Sequence, residues 1–402
     1  MSILQKYRKD FPILDTGVIY LDNAASSLTP EPVIEKMLEY YHSYRANVER
    51  GVHRLSQRAS EEFERAHLKV AEFINARSKQ EIIATRNTTE GINLVASGLD
   101  WRKGDKIVTS ILEHHSNFIV WQRARKRHAL DLEVVRLNSD GTFNIEEFQK
   151  KIDNKTRLVA IAGVSNVLGT VAPLREIVEF AHSKGASVLV DGAQYVPHIK
   201  TDVRKTGCDF LAFSGHKMCG PTGIGALYVR EELLDQIEPL NIGGGTIEDV
   251  SIDSYKLAKS PMRYEAGTPA IAEMIALGRA VDYLKEVGMD RIQEHERRLT
   301  EVALEGLAKI PNVEVYGPAD PKLRTGIVPF NVERLNPHDV ALALDVSSNI
   351  MVRSGHHCAL PLMKEQLCKR EGSARASFYL YNTEEEIVKL VSTVAEIARS
   401  LA

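Results

Sequence analysis

The chain has 402 residues, 44% hydrophobic and 26% charged, which excludes a disordered or low-complexity polypeptide and points to about two domains. Its 51 basic and 54 acidic residues leave a net charge of -3, so it lacks the overall basic surplus of a protein that grips nucleic acid through phosphates. The four cysteines, Cys208, Cys219, Cys358 and Cys368, form no Cys-x-x-Cys pair, which argues against a disulfide framework or zinc knuckle and suits a reducing cytosol.

The first ten residues are polar and lack the apolar run of a signal peptide. No stretch approaches the ~18 apolar residues of a membrane helix, so a cytoplasmic protein without membrane contact is expected. Strand-like runs follow at Lys106–Thr109, Leu132–Arg136, Leu158–Ala162, Ser187–Val190, Phe210–Phe213 and Ala226–Val229, with a helical pattern at Leu174–Lys184. That alternation predicts an α/β fold with a largely parallel sheet covered on both faces by helices. The basic run Arg123–His128 reads as a solvated helix end, where cations favour the helix dipole.

From about Gly267–Pro269 the pattern changes to α+β. Long amphipathic helices are predicted over Ile271–Val287 and Arg291–Ala308, strands at Val313–Tyr316, Ile327–Asn331 and Ile350–Arg353, a helix beginning near Pro337, and a final helix over Glu384–Leu401. The predicted division is a large domain over residues 21–268 and a smaller one from residues 1–20 and 269–402.

Three segments carry chemistry. The buried strand in SVLVDGAQYVPH ends at Asp191, with Gln194 three residues on; ligands in open α/β sheets sit beyond the carboxyl ends of strands. Alone, Asp191 reads equally well as a cap or turn residue. In FLAFSGHKMCGPTGIG an apolar strand ends at Ser214 and leads through His216 to Lys217. A lysine with poor access to water has a lowered pKa and can form a Schiff base, although alone Lys217 also reads as a surface lysine. Together, Asp191 and Lys217 supply the carboxylate and the lysine that pyridoxal 5'-phosphate requires. Gln194 is then a candidate for the ring oxygen, His114 for stacking, and Thr88, Thr89, Ser214 and His216 for the phosphate, Thr88 and Thr89 opening a helix whose free N–H groups suit an anion.

The third segment is MVRSGHHCALPLM, where Cys358 follows a strand, with Arg353, His356 and His357 nearby. Cationic neighbours make a thiol reactive. No further ligand cluster at metal spacing accompanies the His-His-Cys string, so no metal is expected. Of the other cysteines, Cys208 reads as core, Cys219 as pocket wall, and Cys368 as part of a polar helical stretch.

These motifs, with YLDNAA at 20–25, RGVHRLS at 50–56, TTEGINLVA at 88–96, EHHSN at 113–117, VSNVLGT at 164–170, GGGTI at 243–247, YEAGTPA at 264–270 and RASFYLYNTEEE at 375–386, span nearly the whole chain. The chain resembles the class V aminotransferase-like cysteine desulfurases of the SufS/CsdA group. The resemblance implies a pyridoxal-phosphate fold type I homodimer, with Lys217 carrying the cofactor and Asp191, Gln194, His114, Thr89, Ser214 and His216 around it. Thr268 would come from the other subunit. It implies Asn166, Arg353 and Arg375 as ligands of the L-cysteine substrate, and Cys358 as the nucleophile that becomes a persulfide. The sulfur then passes to an acceptor protein or scaffold, with iron–sulfur cluster assembly as the destination. The chain departs from the group at Glu49, Ala270 and Cys219. Rival readings are a selenocysteine lyase, another class V enzyme such as an aminotransferase or kynureninase-like hydrolase, and a non-catalytic sulfur-relay scaffold.

Overall fold

The computed structural model describes residues 3–400. From the amino end come β1 (Ile19–Tyr20), α1 (Glu31–Glu39) and α2 (Arg54–Phe73). A seven-stranded sheet then forms from β2 (Ile82–Thr85), β3 (Lys106–Ser110), β4 (Asp131–Val135), β5 (Thr156–Ala162), β6 (Ser187–Asp191), β7 (Phe210–Ser214) and β8 (Gly225–Val229). Between its strands run α3 (Thr88–Gly98), α4 (Ile119–His128), α5 (Ile145–Lys151), α6 (Leu174–Ser183) and α7 (Val203–Thr206).

The strand order is β2-β8-β7-β6-β5-β3-β4. Pairing is parallel from β7 through β4 and antiparallel at β7–β8 and β8–β2. The central strands are apolar throughout because both faces are covered. Val159, Ile161, Val188 and Val190 point into one core, while Leu158, Ala160, Leu189 and Phe210 point into another across the sheet. The basic run at 123–128 does end α4, and Ala129 closes that helix in the left-handed conformation.

An exposed hairpin, β9 (Ile247–Val250) with β10 (Tyr255–Leu257), precedes α8 (Ile271–Val287) and α9 (Met289–Leu307). Ala270 precedes α8 without a side-chain cap, where an asparagine would offer one. The buried side of α8 packs with α1 and α2. A second sheet, antiparallel and ordered β11-β12-β15-β14, is built from β11 (Val313–Val315), β12 (Ile327–Val332), β14 (Arg353–Gly355) and β15 (Ser373–Ser377). Together with α9, α10 (Pro337–Ser348) and α11 (Glu384–Arg399), it surrounds a core of its own that includes Leu299, Phe330, Leu344 and Leu390. Asn336 caps α10 ahead of Pro337, and Thr383 and Glu386 form a capping box on α11. Residue 401 of the last predicted helix lies outside the described residues.

The amino-terminal segment is tied to both parts. Phe11 packs against Tyr283 and Tyr381, Arg8 pairs with Glu386, and β1 pairs in parallel with β13 (Ile350–Met351). Among the described residues, no helix is long and apolar enough to cross a membrane.

Candidate active site

The parallel strands β3, β5, β6 and β7 all end at one edge of the large sheet, and their following residues converge there. A cavity of about 470 Å³ opens at this edge. It is lined by Thr88, Thr89, His114, Asn166, Asp191, Gln194, Ser214, His216, Lys217, Arg353, Cys358 and Arg375. Of the site residues expected from sequence, Thr268 alone is not among the lining residues; it lies exposed on the loop before α8.

Asp191 is the last residue of β6, and its Oδ1 accepts from the Ala193 N–H at 2.9 Å. Lys217 sits in the tight turn after β7. Gly215 and Gly220 let that turn close: a Cβ on Gly220 would lie 2.9 Å from the Gly215 carbonyl oxygen, and one on Gly215 would lie 3.0 Å from that of Ile224. Ser27 donates from its N–H to the His216 carbonyl at 2.9 Å and fastens the turn from outside. Burial lowers the Lys217 pKa against the opposing pull of Asp191, and it raises that of Asp191. The carboxylate is therefore short of compensating charge.

At the start of α3, Asn87 caps the helix by accepting from the Glu90 N–H at 3.1 Å. The Thr88 and Ser214 hydroxyls meet at 2.7 Å, and Thr89 meets Ser116 at 2.7 Å. These hydroxyls, the first helical N–H groups and the His216 ring form an anion-suited donor set. Burial, aided by Lys217, pushes the imidazoles of His114 down to about 3 and His216 down to about 4. Both rings are neutral at pH 7.

The cysteine loop leaves β14 in a strained conformation. His357 and Cys358 are consecutive non-glycine residues in the left-handed region, with φ of 51° and 56°. Each costs on the order of 1–2 kcal/mol. The surroundings hold them there: the His115 N–H donates to the Cys358 carbonyl at 2.7 Å, and the Asn166 side chain donates to the His357 carbonyl at 2.7 Å. The Leu360 N–H donates to the His115 ring at 3.1 Å. The loop thus presents an exposed Cys358 thiol at the cavity.

Arg375, at the centre of β15, is 3% exposed; it donates to the Asn166 carbonyl at 2.7 Å and lies 3.3 Å from Asp22. Its Nε is buried without a partner. Arg353 holds the other oxygen of Asp22 at 3.3 Å. A guanidinium with spare donors beside a second arginine suits an α-carboxylate.

Three expectations change. His357 adds no positive charge beside Cys358, because burial and Arg375 push its pKa down to about 2. Cys219 does not line the cavity; it is fully buried, its N–H held by the Ser27 hydroxyl at 2.9 Å. Cys368 is not helical but stands exposed in a left-handed turn after a short π-helix. Cys208 is core, 2% exposed. Sequence reasoning left out Asp22, which bridges both arginines, and Ala24, whose carbonyl accepts from Gln194 at 2.6 Å. Both lie in the YLDNAA string directly after β1, so an acid closing an apolar run was the available signal.

The residues present fit pyridoxal phosphate. A buried, undercompensated carboxylate suits a protonated ring nitrogen, a lysine of lowered pKa suits Schiff-base chemistry, and the α3 donors suit the phosphate. The aminotransferase class-V profile matches residues 19–390. The chain belongs to the class-V aminotransferase family. Within this family it is 49% identical to a probable cysteine desulfurase of Pyrococcus abyssi, over 100% of this chain and 99% of that one. It is 48% identical to a probable cysteine desulfurase of Halalkalibacterium halodurans, over 94% of each. An apo cysteine desulfurase from Thermococcus onnurineus NA1 superposes with a TM-score of 0.95 at 48% identity, covering 100% of this chain and 99% of that one. The cysteine desulfurase CsdA of Escherichia coli gives 0.92 at 34% identity, with 100% and 99% covered. The pyridoxal-phosphate fold type I expected from sequence is thereby shown.

The depressed imidazoles predict a pH dependence for this family member. Unfolded, His114, His216 and His357 each take up a proton near pH ~6.5; folded, they stay neutral to about 3, 4 and 2. The unfolded chain then binds more protons through the mildly acidic range, so stability falls as pH drops. Glu113, buried and pushed up to about 8, opposes this, as do the raised carboxyls of Asp191, Asp22 and Glu49 and the raised imidazole of His67, while the lowered imidazoles of His115 and His295 add to it. The urea midpoint of the cofactor-free protein is expected to fall between about pH 7 and about pH 5; a constant or rising midpoint contradicts it.

Proposed function

We propose that the protein is a pyridoxal-phosphate-dependent cysteine desulfurase that converts L-cysteine to L-alanine and keeps the sulfur as a persulfide on Cys358. The observation that carries this reading is an exposed thiol, held by a strained loop, in the same cavity as Lys217, Asp191 and Arg375. Neither an aminotransferase nor a hydrolase needs that thiol. A non-catalytic scaffold needs neither the buried lysine nor the buried carboxylate.

Asp191 would hold the ring nitrogen, Gln194 the ring oxygen, and Thr88, Thr89, Ser214 and His216 the phosphate, with the neutral His114 ring against the cofactor's face. When bound, pyridoxal phosphate supplies the electron sink that acidifies the substrate Cα–H and weakens its Cβ–S bond. Arg375, Arg353 and the Asn166 side chain orient the substrate carboxylate. Lys217 Nζ, its pKa lowered by burial, takes the Cα proton. Cys358 Sγ attacks the substrate sulfur: an S–S bond forms as the Cβ–S bond breaks, and the electron pair stays on carbon, which takes a proton on the way to alanine.

The reading extends to a cytoplasmic homodimer. Thr268 lies outside this chain's cavity, which fits its reaching the phosphate of a second copy. The preceding segment exposes Ile242, Val250, Ile252 and Tyr255, apolar surface that a second copy would cover. The large sheet with α1–α7 is the cofactor-holding lobe in this reading, α8 packing on α1 and α2, and the sheet of β11, β12, β14 and β15 with α9, α10 and α11 is the lobe carrying the cysteine loop. The loop is short and fastened, so a sulfur acceptor, in our reading an iron–sulfur assembly protein, comes to Cys358.

Replacing Arg375 tests the substrate assignment. Arg375→Lys loses the fork of donors and is expected to raise KM for L-cysteine about 10- to 100-fold. Its effect on kcat should be smaller, measured as alanine formed. An unchanged KM in the folded variant contradicts the assignment.

A further inference from the structure

One buried ionisable pair next to the cavity has no part in the chemistry above. His198, on the turn after β6, and Glu296, on α9, are 3% and 2% exposed. His198 Nδ1 lies 2.8 Å from Glu296 Oε1, and its Nε2 lies 3.3 Å from Gln194 Oε1. The Gln194 amide nitrogen donates to the Ala24 carbonyl at 2.6 Å. From the segment after β15, the Tyr379 ring stands edge-on to His198, its centroid 5.0 Å away, and its hydroxyl donates to the Pro197 carbonyl at 3.1 Å. The groups facing His198 are therefore one carboxyl, one amide and one phenol.

The hydrogen-bond logic leaves one arrangement. An amide oxygen cannot face the Ala24 carbonyl at 2.6 Å, so the amide nitrogen does and the amide oxygen faces His198. That oxygen only accepts, so His198 Nε2 must carry a hydrogen. Between Nδ1 and the Glu296 carboxyl one further proton is shared, on either side, and in both cases Nε2–H persists. Without a partner at Nδ1 the ring is held from one side only and can turn its Nε2–H away from Gln194.

We infer that Glu296 and His198 are positioning residues that hold the Gln194 amide with its oxygen turned inward and its second N–H free for the cavity. The cavity-facing donor then has a fixed orientation set from α9, across the junction between the two sheets. This rests on the cofactor reading above, in which Gln194 faces the ring oxygen. A donor at that oxygen favours its anionic form. Losing the donor makes the oxygen more basic.

The test is a pH titration of the visible absorption band of the pyridoxal-phosphate-loaded enzyme, with circular dichroism and melting as fold controls. In His198→Leu the Gln194 oxygen loses its donor, and the titration midpoint is expected to rise by about half a pH unit or more. His198→Gln, whose amide can donate to Gln194, restores a midpoint near wild type. Glu296→Leu leaves Nδ1 without a partner and is expected to raise the midpoint as well, whereas Glu296→Gln, whose amide can donate to Nδ1 while Nε2 keeps its hydrogen, stays near wild type. A midpoint unmoved in folded His198→Leu or Glu296→Leu, or moved equally by His198→Gln and His198→Leu, overturns the inference. If a variant does not fold, the remaining ones decide on the same criteria. Failure of the cofactor reading looks different: the wild-type protein would then show no such band at all.

Discussion

Lys217→Ala is expected to lower alanine formation from L-cysteine by about 1,000-fold or more, the loss of a general base and of the covalent anchor together. It should also remove the visible absorption band that a lysine-bound cofactor gives. The variant should fold, because the turn around Lys217 is held by backbone bonds from Ser27 and by the close approach of Gly215 and Gly220, and the lysine ammonium takes no part in them. Removing the lysine also takes away the nearest cation from Asp191, so its carboxyl should hold a proton to higher pH still. Retained turnover, or an unchanged band, contradicts the assignment of this lysine.

Cys358→Ala should separate capture of substrate from capture of sulfur. The loop's geometry comes from His115, Asn166 and the Leu360 N–H, none of which touches the thiol, and an alanine at φ 56° meets the same backbone strain as the cysteine. Cofactor and L-cysteine binding are expected to stay at wild-type levels. Turnover of L-cysteine should fall on the order of 100-fold or more, for want of the nucleophile. Selenium leaves carbon more readily than sulfur, so L-selenocysteine discriminates the rival reading. A variant that still releases sulfide from L-cysteine at the wild-type rate contradicts the role of Cys358. One that loses cysteine turnover yet keeps a wild-type rate on selenocysteine shows that the same site also supports lyase chemistry.

What was legible in the sequence follows from burial. β5, β6 and β7 are covered on both faces and so read as continuous apolar runs, and their ends marked Asp191 and Lys217. β15 is the opposite case. Its sequence, Ser-Ala-Arg-Ala-Ser, carries no hydrophobic pattern, because small side chains are what fits between β12 and β14. The strand that sets Arg375 in the cavity is therefore invisible to periodicity, and Arg375 was reached only through the family resemblance. β2, Ile-Ile-Ala-Thr at the antiparallel edge of the large sheet, was also missed, although it is as long as runs that were read as strands. Asp22, Ala24 and the His198–Glu296 pair depend on contacts between segments far apart in the chain, such as Gln194 with Ala24 and His198 with Glu296. No local spacing announces those. Nor does sequence tell a charged histidine from a neutral one: His357 read as a cation beside Cys358 until its burial against Arg375 was seen.

The central claim is that the sulfur of L-cysteine comes to rest on Cys358. Mass spectrometry of the peptides after brief incubation of the pyridoxal-phosphate-loaded enzyme with L-cysteine, with free thiols alkylated, measures this directly. The expected result is the added mass of one sulfur atom on the peptide containing Cys358, removed by a thiol reductant and absent from Lys217→Ala. Alanine formed while that peptide stays unmodified, or sulfur found instead on the exposed Cys368, would contradict the account.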